Sequence, residues 1–388
     1  MLQPVMSRSW SLLALLSVLS SGCSLFNYVQ VEPVATSFQK PSNVAAYVSV
    51  TDGKQPVTEL RSENFQIYEN DQLLTSEDTH QTLLGKELAA YHHTVLLVDM
   101  SGEQSADDSL ARAVGSFVET VRRTQPVSVF VFDGSPNLRF VADFSKSPDG
   151  ASADVHALAK MGSSDTSRNL NGAVVNGLKE LDARLAQQRR TVKVGTLVVF
   201  TRGPDLAGRV SESDTEKALD DSQDNVLALS IAEQAGRALD TLGKSGTVKA
   251  QNADAVGIAF EEAATKTRDL YDKYYLLAYC SPARSGTRRL KVEVHYRDTE
   301  GNEKHGSFSQ DFEASGFGPG CNPESVPRFV PQVVAKPTEH APAKGASAAD
   351  SKSDKPDASN NGADSGNKPS TDDDGSVAPP PDKPGYSH

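Results

Sequence analysis

Cysteine is scarce. The 388 residues carry three, Cys23, Cys280 and Cys321, which excludes a disulfide-built scaffold and a zinc site made of four cysteines. Tryptophan occurs once, at Trp10. No apolar run reaches the ~18 residues of a membrane-spanning helix. Positive charge is in deficit: 39 Lys and Arg stand against 51 Asp and Glu, a net charge of -12. That excludes holding nucleic acid or anionic lipid by bulk electrostatics. Apolar residues make up 37 %, low for a wholly globular chain, so part of the length is expected to lack a core. Gly-x-Ser-x-Gly and His-Glu-x-x-His are both absent, and no enzyme is expected.

The two ends read differently from the middle. Residues 1–22 have a basic start at Arg8 and a short apolar run from Trp10 to Leu19, the pattern of a secretory signal peptide. Leu19-Ser-Ser-Gly-Cys23 resembles a bacterial lipoprotein box, although Leu19 lies one place early and Ser20 holds the place of a large aliphatic residue. The resemblance implies a lipid anchor at Cys23 in the bacterial cell envelope. Ser24 after the cysteine implies the outer membrane. Ordinary cleavage with Cys23 free is the other reading. Export permits a disulfide, and the remaining pair, Cys280 and Cys321, invites one. Two separate thiols are the alternative. From residue 336 to 388 the chain is Pro, Ala, Ser, Gly, Asn, Asp and Lys, a composition that cannot offset the entropy of folding and is expected to be disordered.

The middle alternates strand and helix patterns. Thr94–Val98, Val127–Phe132, Leu138–Phe144, Gly195–Thr201 and Val226–Ile231 are apolar runs, expected as strands buried on both faces. Ser109–Arg123, Leu170–Leu185 and Ala255–Tyr271 carry helical spacing. The alternation predicts an α/β, doubly wound, mostly parallel sheet. Sites in such sheets form at the carboxyl ends of the strands, where Asp99, Ser101 and Arg202 fall.

Four segments then become specific. Asp99-Met-Ser-Gly-Glu103 ends the first strand and Phe130-Val-Phe-Asp-Gly134 the second; Arg168-Asn-Leu-Asn-Gly172 opens a helix, and Phe200-Thr-Arg-Gly-Pro-Asp205 ends a later strand. Their order and spacing resemble the von Willebrand factor type A domain over residues 92–268. The resemblance implies a metal-ion-dependent adhesion site of hard oxygen ligands for Mg²⁺ or Mn²⁺. Asp99 and Ser101 match that site. Glu103 replaces its second serine, Arg168 its threonine and Arg202 its aspartate. A shifted alignment brings Thr166 or Ser167 to the threonine position. The expectation is a degenerate site with no metal, in which Asp99 and Glu103 pair with Arg168 and Arg202. The alternatives are solvated loop residues that have drifted, and a Mg²⁺ or Mn²⁺ ion held by Asp99, Ser101 and Glu103.

Residues 43–91 and 270–316 flank this segment with short alternating strands and turns. Neither flank has strands enough for a stable sheet, so together they are expected to form a β-sandwich into which the α/β domain is inserted. Phe65-Gln-Ile-Tyr-Glu69 resembles the leading segment of bacterial proteins of the same type. His92 and His93 lack a third ligand at metal spacing and read as an ordinary strand-edge pair. Gly316-Phe-Gly-Pro-Gly320 reads as a flexible exit from the last strand. The functional expectation is an exported, lipid-anchored, non-enzymatic binding protein that meets a protein partner at Asp99, Ser101, Glu103, Arg168 and Arg202. Metal-dependent adhesion, and a structural or envelope-assembly lipoprotein with an inert face, are the alternatives.

Overall fold

The computed structural model describes residues 28–102, 108–149, 155–231 and 238–329. The signal segment with Cys23, Glu103 and the 336–388 tail lie outside them. The described chain opens with β1 (Gln30–Gln39), β2 (Asn43–Asp52), β3 (Gln55–Pro56), β4 (Phe65–Glu69), β5 (Gln72–Leu73), the short helix α1 (Ser76–Thr79) and β6 (Thr82–Leu84). Next come β7 (Ala90–Asp99), α2 (Asp108–Val121), β8 (Val127–Phe132), β9 (Arg139–Phe144), α3 (His156–Ala159) and α4 (Leu170–Ala186). They are followed by β10 (Val192–Thr201), α5 (Glu212–Asp221), β11 (Asn225–Ile231), α6 (Ala238–Leu242), β12 (Thr247–Ala250) and α7 (Val256–Asp272). The chain then returns with β13 (Tyr274–Cys280), β14 (Thr287–Arg297) and β15 (Glu303–Glu313).

The central sheet has the order β12-β11-β10-β7-β8-β9. All neighbours are parallel except β9, which runs antiparallel along β8. Its middle strands are covered on both faces, which is why their apolar runs do not alternate. Leu96, Val98, Val198 and Phe200 pack with Val114 and Phe117 of α2 and Phe260 of α7. Val95, Leu97, Leu197 and Val199 pack on the other face with Val174, Leu178 and Leu181 of α4. Gly177 lets α4 lie close to the sheet: a Cβ there would stand 2.7 Å from Leu97 Cδ1.

The flanking strands pair with each other across the insertion. One sheet runs β1-β2-β13-β6, with β3 on β2, and the other runs β15-β14-β4-β5. Val48, Leu277 and Tyr279 meet Ile67, Val292 and Phe308 between them. The far face of the first sheet carries Tyr47, Leu276 and Ala278 against Ala90, Val192 and Val194 at the starts of β7 and β10. The central sheet therefore stands with its amino ends on the sandwich and its carboxyl ends away from it. β7 covers roughly 30 Å at ~3.3 Å per residue.

Three expectations are corrected. β1 belongs to the sandwich although the alternating pattern begins only at Asn43; Pro33 and a register shift between Pro33 and Ala35 break its period of two. His92 and His93 sit inside the sheet, between β10 and β8, not at a strand edge. The 316–320 segment is a packed strap. Phe317 enters the sandwich core, the Gly318 N–H donates to the Pro41 carbonyl at 2.6 Å and the Asn322 N–H to Asn43 Oδ1 at 3.0 Å. Cys280 and Cys321 are joined in a disulfide. Beyond it the Arg328 carbonyl accepts from Ser37 Oγ at 2.9 Å, and Phe329 is buried beside Ala35 and Tyr47.

Candidate functional site

β7 delivers Asp99 to its carboxyl end fully buried, at 0 % exposure. The chain turns at once, since Gly102 has φ +90°, a conformation cheap only for glycine. Asp99 Oδ1 accepts the Ser101 N–H at 2.8 Å. Asp99 Oδ2 accepts Arg168 Nε and the Arg202 N–H, both at 2.7 Å, and shares the single Thr201 hydroxyl hydrogen, 3.2 Å away, with the nearer Gly203 carbonyl at 2.7 Å. Arg168 precedes α4, whose first turn is capped by Asn169 Oδ1 accepting the Gly172 N–H. Its carbonyl accepts the Leu206 and Ala207 N–H groups, both at 2.8 Å. Its Nη1 donates to the Pro204 carbonyl at 3.0 Å. The guanidinium is thus fixed from both ends, with its side chain 12 % exposed.

A second layer shapes the loops. Asp133 ends β8 and accepts the Ser135 N–H at 2.8 Å and the Ser164 N–H at 2.7 Å. Burial alone raises its carboxyl; the Ser164 and Ser135 bonds outweigh that and hold it below its ordinary value. Asp165 accepts the Ser167 hydroxyl and N–H, which lower it likewise, and Arg209 reaches its other oxygen. Gly134 is required there: a Cβ would stand 2.0 Å from Ser167 Oγ and 2.4 Å from Asp165 Oδ1. Asp205 Oδ1 accepts the Asn171 N–H in the first turn of α4, where negative charge suits the helix dipole.

Asp99, Ser101 and Arg168 come together, and Arg202 joins them through its main chain. Among the described residues the Arg202 side chain makes no bond to Asp99, and the residue is among those lining a cleft of about 860 Å³ at α2 and α7, with Arg112, Phe200, Ile231 and Glu261. Thr166 contributes its carbonyl, to the Gly102 N–H, and Ser167 turns to Asp165. Neither brings a hydroxyl to Asp99. Ser101 Oγ is buried at 1 % exposure and has no hydrogen-bond partner. Glu103 and Cys23 lie outside the described residues. Thr201 is the ligand of Asp99 that the sequence reading passed over, although it sits inside the quoted Phe200-Thr-Arg-Gly203 segment. Asp133 lay likewise in a quoted segment, with nothing in its type to mark it as a loop anchor.

His92 and His93 lie at the other end of the sheet. His92 Nε2 meets the Tyr47 hydroxyl at 2.7 Å, and His93 Nε2 meets Ser128 Oγ at 2.8 Å. Burial pushes them down to about 3 and about 4, with nearby Lys86 and Arg184 adding to it. They are neutral core groups.

Fold and loops together define a doubly wound α/β module, seated in a β-sandwich, with a buried acid–guanidinium pair where its strands end. No family model matches the chain, and no curated protein matches it. Among solved structures it is similar to a von Willebrand factor type A protein from Catenulispora acidiphila, at 10 % identity and TM-score 0.37, over 76 % of this chain and 74 % of that one. It is similar to the manganese-loaded TRAP protein of Plasmodium vivax at 12 % identity and TM-score 0.37, over 61 % and 98 %. A mutant of the PilB minor pilin from Streptococcus sanguinis is similar at 11 % identity and TM-score 0.36, over 65 % and 81 %.

Proposed function

We propose that the chain is an exported, non-enzymatic protein-binding protein whose von Willebrand factor type A-like module works without a metal ion. The observation that carries this reading is the Arg168–Asp99 pair, 2.7 Å apart and out of solvent. A dication taken by Asp99 would have to displace donors from an oxygen that already accepts two N–H bonds at 2.7 Å. It would also stand beside a guanidinium. At 4 Å and an effective dielectric constant of about 20, that repulsion is about 4 kcal/mol per unit of charge, twice that for a divalent ion. Among the described residues only Asp99 and Ser101 supply oxygen ligands of the expected kind, Glu103 lying outside them, which supports the metal-free reading. The strand tips then bind by surface complementarity, with the Arg202 guanidinium, which makes no ion pair among the described residues, offered to a partner carboxylate.

Lipidation of Cys23 belongs to this reading, at the outer membrane. Tyr28, five residues later, already bridges to His305 on β15. The described chain thus begins on the sandwich, and the carboxyl ends of the central strands lie away from the sandwich.

Ser101 Oγ, buried and without a partner, favours one competing reading: Mg²⁺ or Mn²⁺ adhesion through Asp99, Ser101 and Glu103. Thermal unfolding of the purified chain in EDTA, then in millimolar Mg²⁺ or Mn²⁺, separates the two. The metal-free reading expects no change in Tm. An ion at ~100 times its Kd would add about 2.7 kcal/mol, and an upward shift lost in Asp99→Ala would overturn the proposal. Deleting 336–388 addresses the structural alternative: partner capture that survives the deletion and is lost in Arg202→Glu supports the folded face.

A further inference from the structure

We propose that His295 and His305, with Glu293, bind a divalent transition-metal ion such as Zn²⁺ or Cu²⁺ on the outer face of the four-stranded sheet. The two histidines are direct partners in the β14–β15 register. Their carbonyls show which kind of partners they are. The His305 carbonyl accepts the Val29 N–H, and the His295 carbonyl accepts Asn64 Nδ2. Each carbonyl points away from the other strand, so the pair is a non-hydrogen-bonded one, the arrangement in which side chains stand closest. The alternation of β14 puts both rings outward, because Val292 and Val294 face the core.

The rings are within reach of one ion. Their centroids are 6.2 Å apart and their planes are inclined by 23°. Two imidazoles on one tetrahedral ion, at ~2.1 Å from each nitrogen, have centroids about 5 Å apart, so closure needs a movement of about 1 Å between the exposed His305 and the half-buried His295. Glu293 shares the face, with Oε1 at 3.3 Å from His295 Nε2 and Oε2 at 2.8 Å from Lys291 Nζ. Among the described residues no three such groups converge as a ready-made cage. The site is a two-nitrogen chelate that the carboxylate completes by turning from the imidazole to the ion. No other two described histidines are cross-strand partners. Two imidazoles and one carboxylate select late first-row ions over Mg²⁺ and Ca²⁺.

The position has a consequence. The Tyr28 ring stands edge-on to His305, centroids 6.5 Å apart, and Val29 hangs from the same residue. An ion here fastens the point at which the N-terminal segment joins the fold.

The test uses the purified chain, stripped with chelator and titrated with Zn²⁺ during thermal unfolding. Zn²⁺ at tens of micromolar is expected to raise Tm by several degrees, while equal Mg²⁺ does nothing. His295→Gln and His305→Gln should each remove the rise, Glu293→Gln should reduce it, and Asp99→Ala should leave it whole. Cu²⁺ electron paramagnetic resonance gives a second readout: hyperfine structure from two nitrogens in the natural chain and from one in His305→Gln. No rise with Zn²⁺ overturns the proposal. So does a rise that persists in both histidine variants, which would place the ion on the chain's other histidines.

Discussion

Arg168 matters more than its neighbour Arg202 because of where each bond is made. Arg168 neutralises Asp99 with its guanidinium, while Arg202 only donates its uncharged backbone N–H to it. Arg168→Ala leaves a buried carboxylate without its counter-charge and is expected to cost about 3–5 kcal/mol. Arg202→Ala keeps the amide and should stay within about 0.5 kcal/mol. Urea unfolding of the two variants against the natural chain checks this. Equal losses would place the Arg202 side chain in the structural pair. The histidines set a second expectation. Both are held neutral, at about 3 and about 4 against an ordinary 6.5. In the unfolded chain they take up protons below 6.5, so their contribution is whole above that pH and drains away as the pH falls toward 4. Between pH 7 and pH 5 the loss is about 2 kcal/mol for each. His93→Gln should flatten the fall in the urea midpoint over that interval.

Elements were legible where burial was complete. β7, β8, β10 and β11 announce themselves by runs of Val, Leu and Phe, and α2 by Leu110, Val114, Phe117 and Val121 on one face. α5 was not legible, because its ten residues bury only Thr215 and Leu219. β12 is four residues long and carries no period to read. At the site, Asp99 and Arg168 were legible as members of one charge cluster with Glu103 and Arg202, not as the particular pair they form. Sequence could not say that residue 202 would act through its N–H, since residue type describes only side chains. Close packing between elements gives a further prediction. A Cβ on Gly306 of β15 would stand 2.0 Å from the Val29 carbonyl oxygen. Gly306→Ala is therefore expected to unseat Val29 and to speed hydrogen exchange of its amide, with a cost of about 1–3 kcal/mol. An unchanged exchange rate would mean that the strand yields instead.

At the scale of the whole molecule, the disulfide closes the strap over β1 and β2. It joins residues 41 apart in sequence. Loop-closure entropy for that separation is about 4 kcal/mol. Cys280→Ser with Cys321→Ser should lower stability by up to that amount and expose the 314–329 segment to protease before the central module. Simultaneous cleavage everywhere would show that the strap holds the module together as well as the sandwich.

The interrupted sandwich also sets an order in time. β2 pairs with β13, and roughly 190 residues separate β6 from β13. A chain emerging from its amino end can pair β1 with β2, β2 with β3 and β4 with β5, but β13 and β14, which join β2, β6 and β4, come only after the insert, whereas β7 to α7 are contiguous and find one another early. The edges of β2, β4 and β6 that take β13 and β14 must wait unpaired, the state most exposed to aggregation. The sandwich is thus the last part to close, and its closure, sealed by a cysteine near the end of the described fold, reports that the whole insert has already been made.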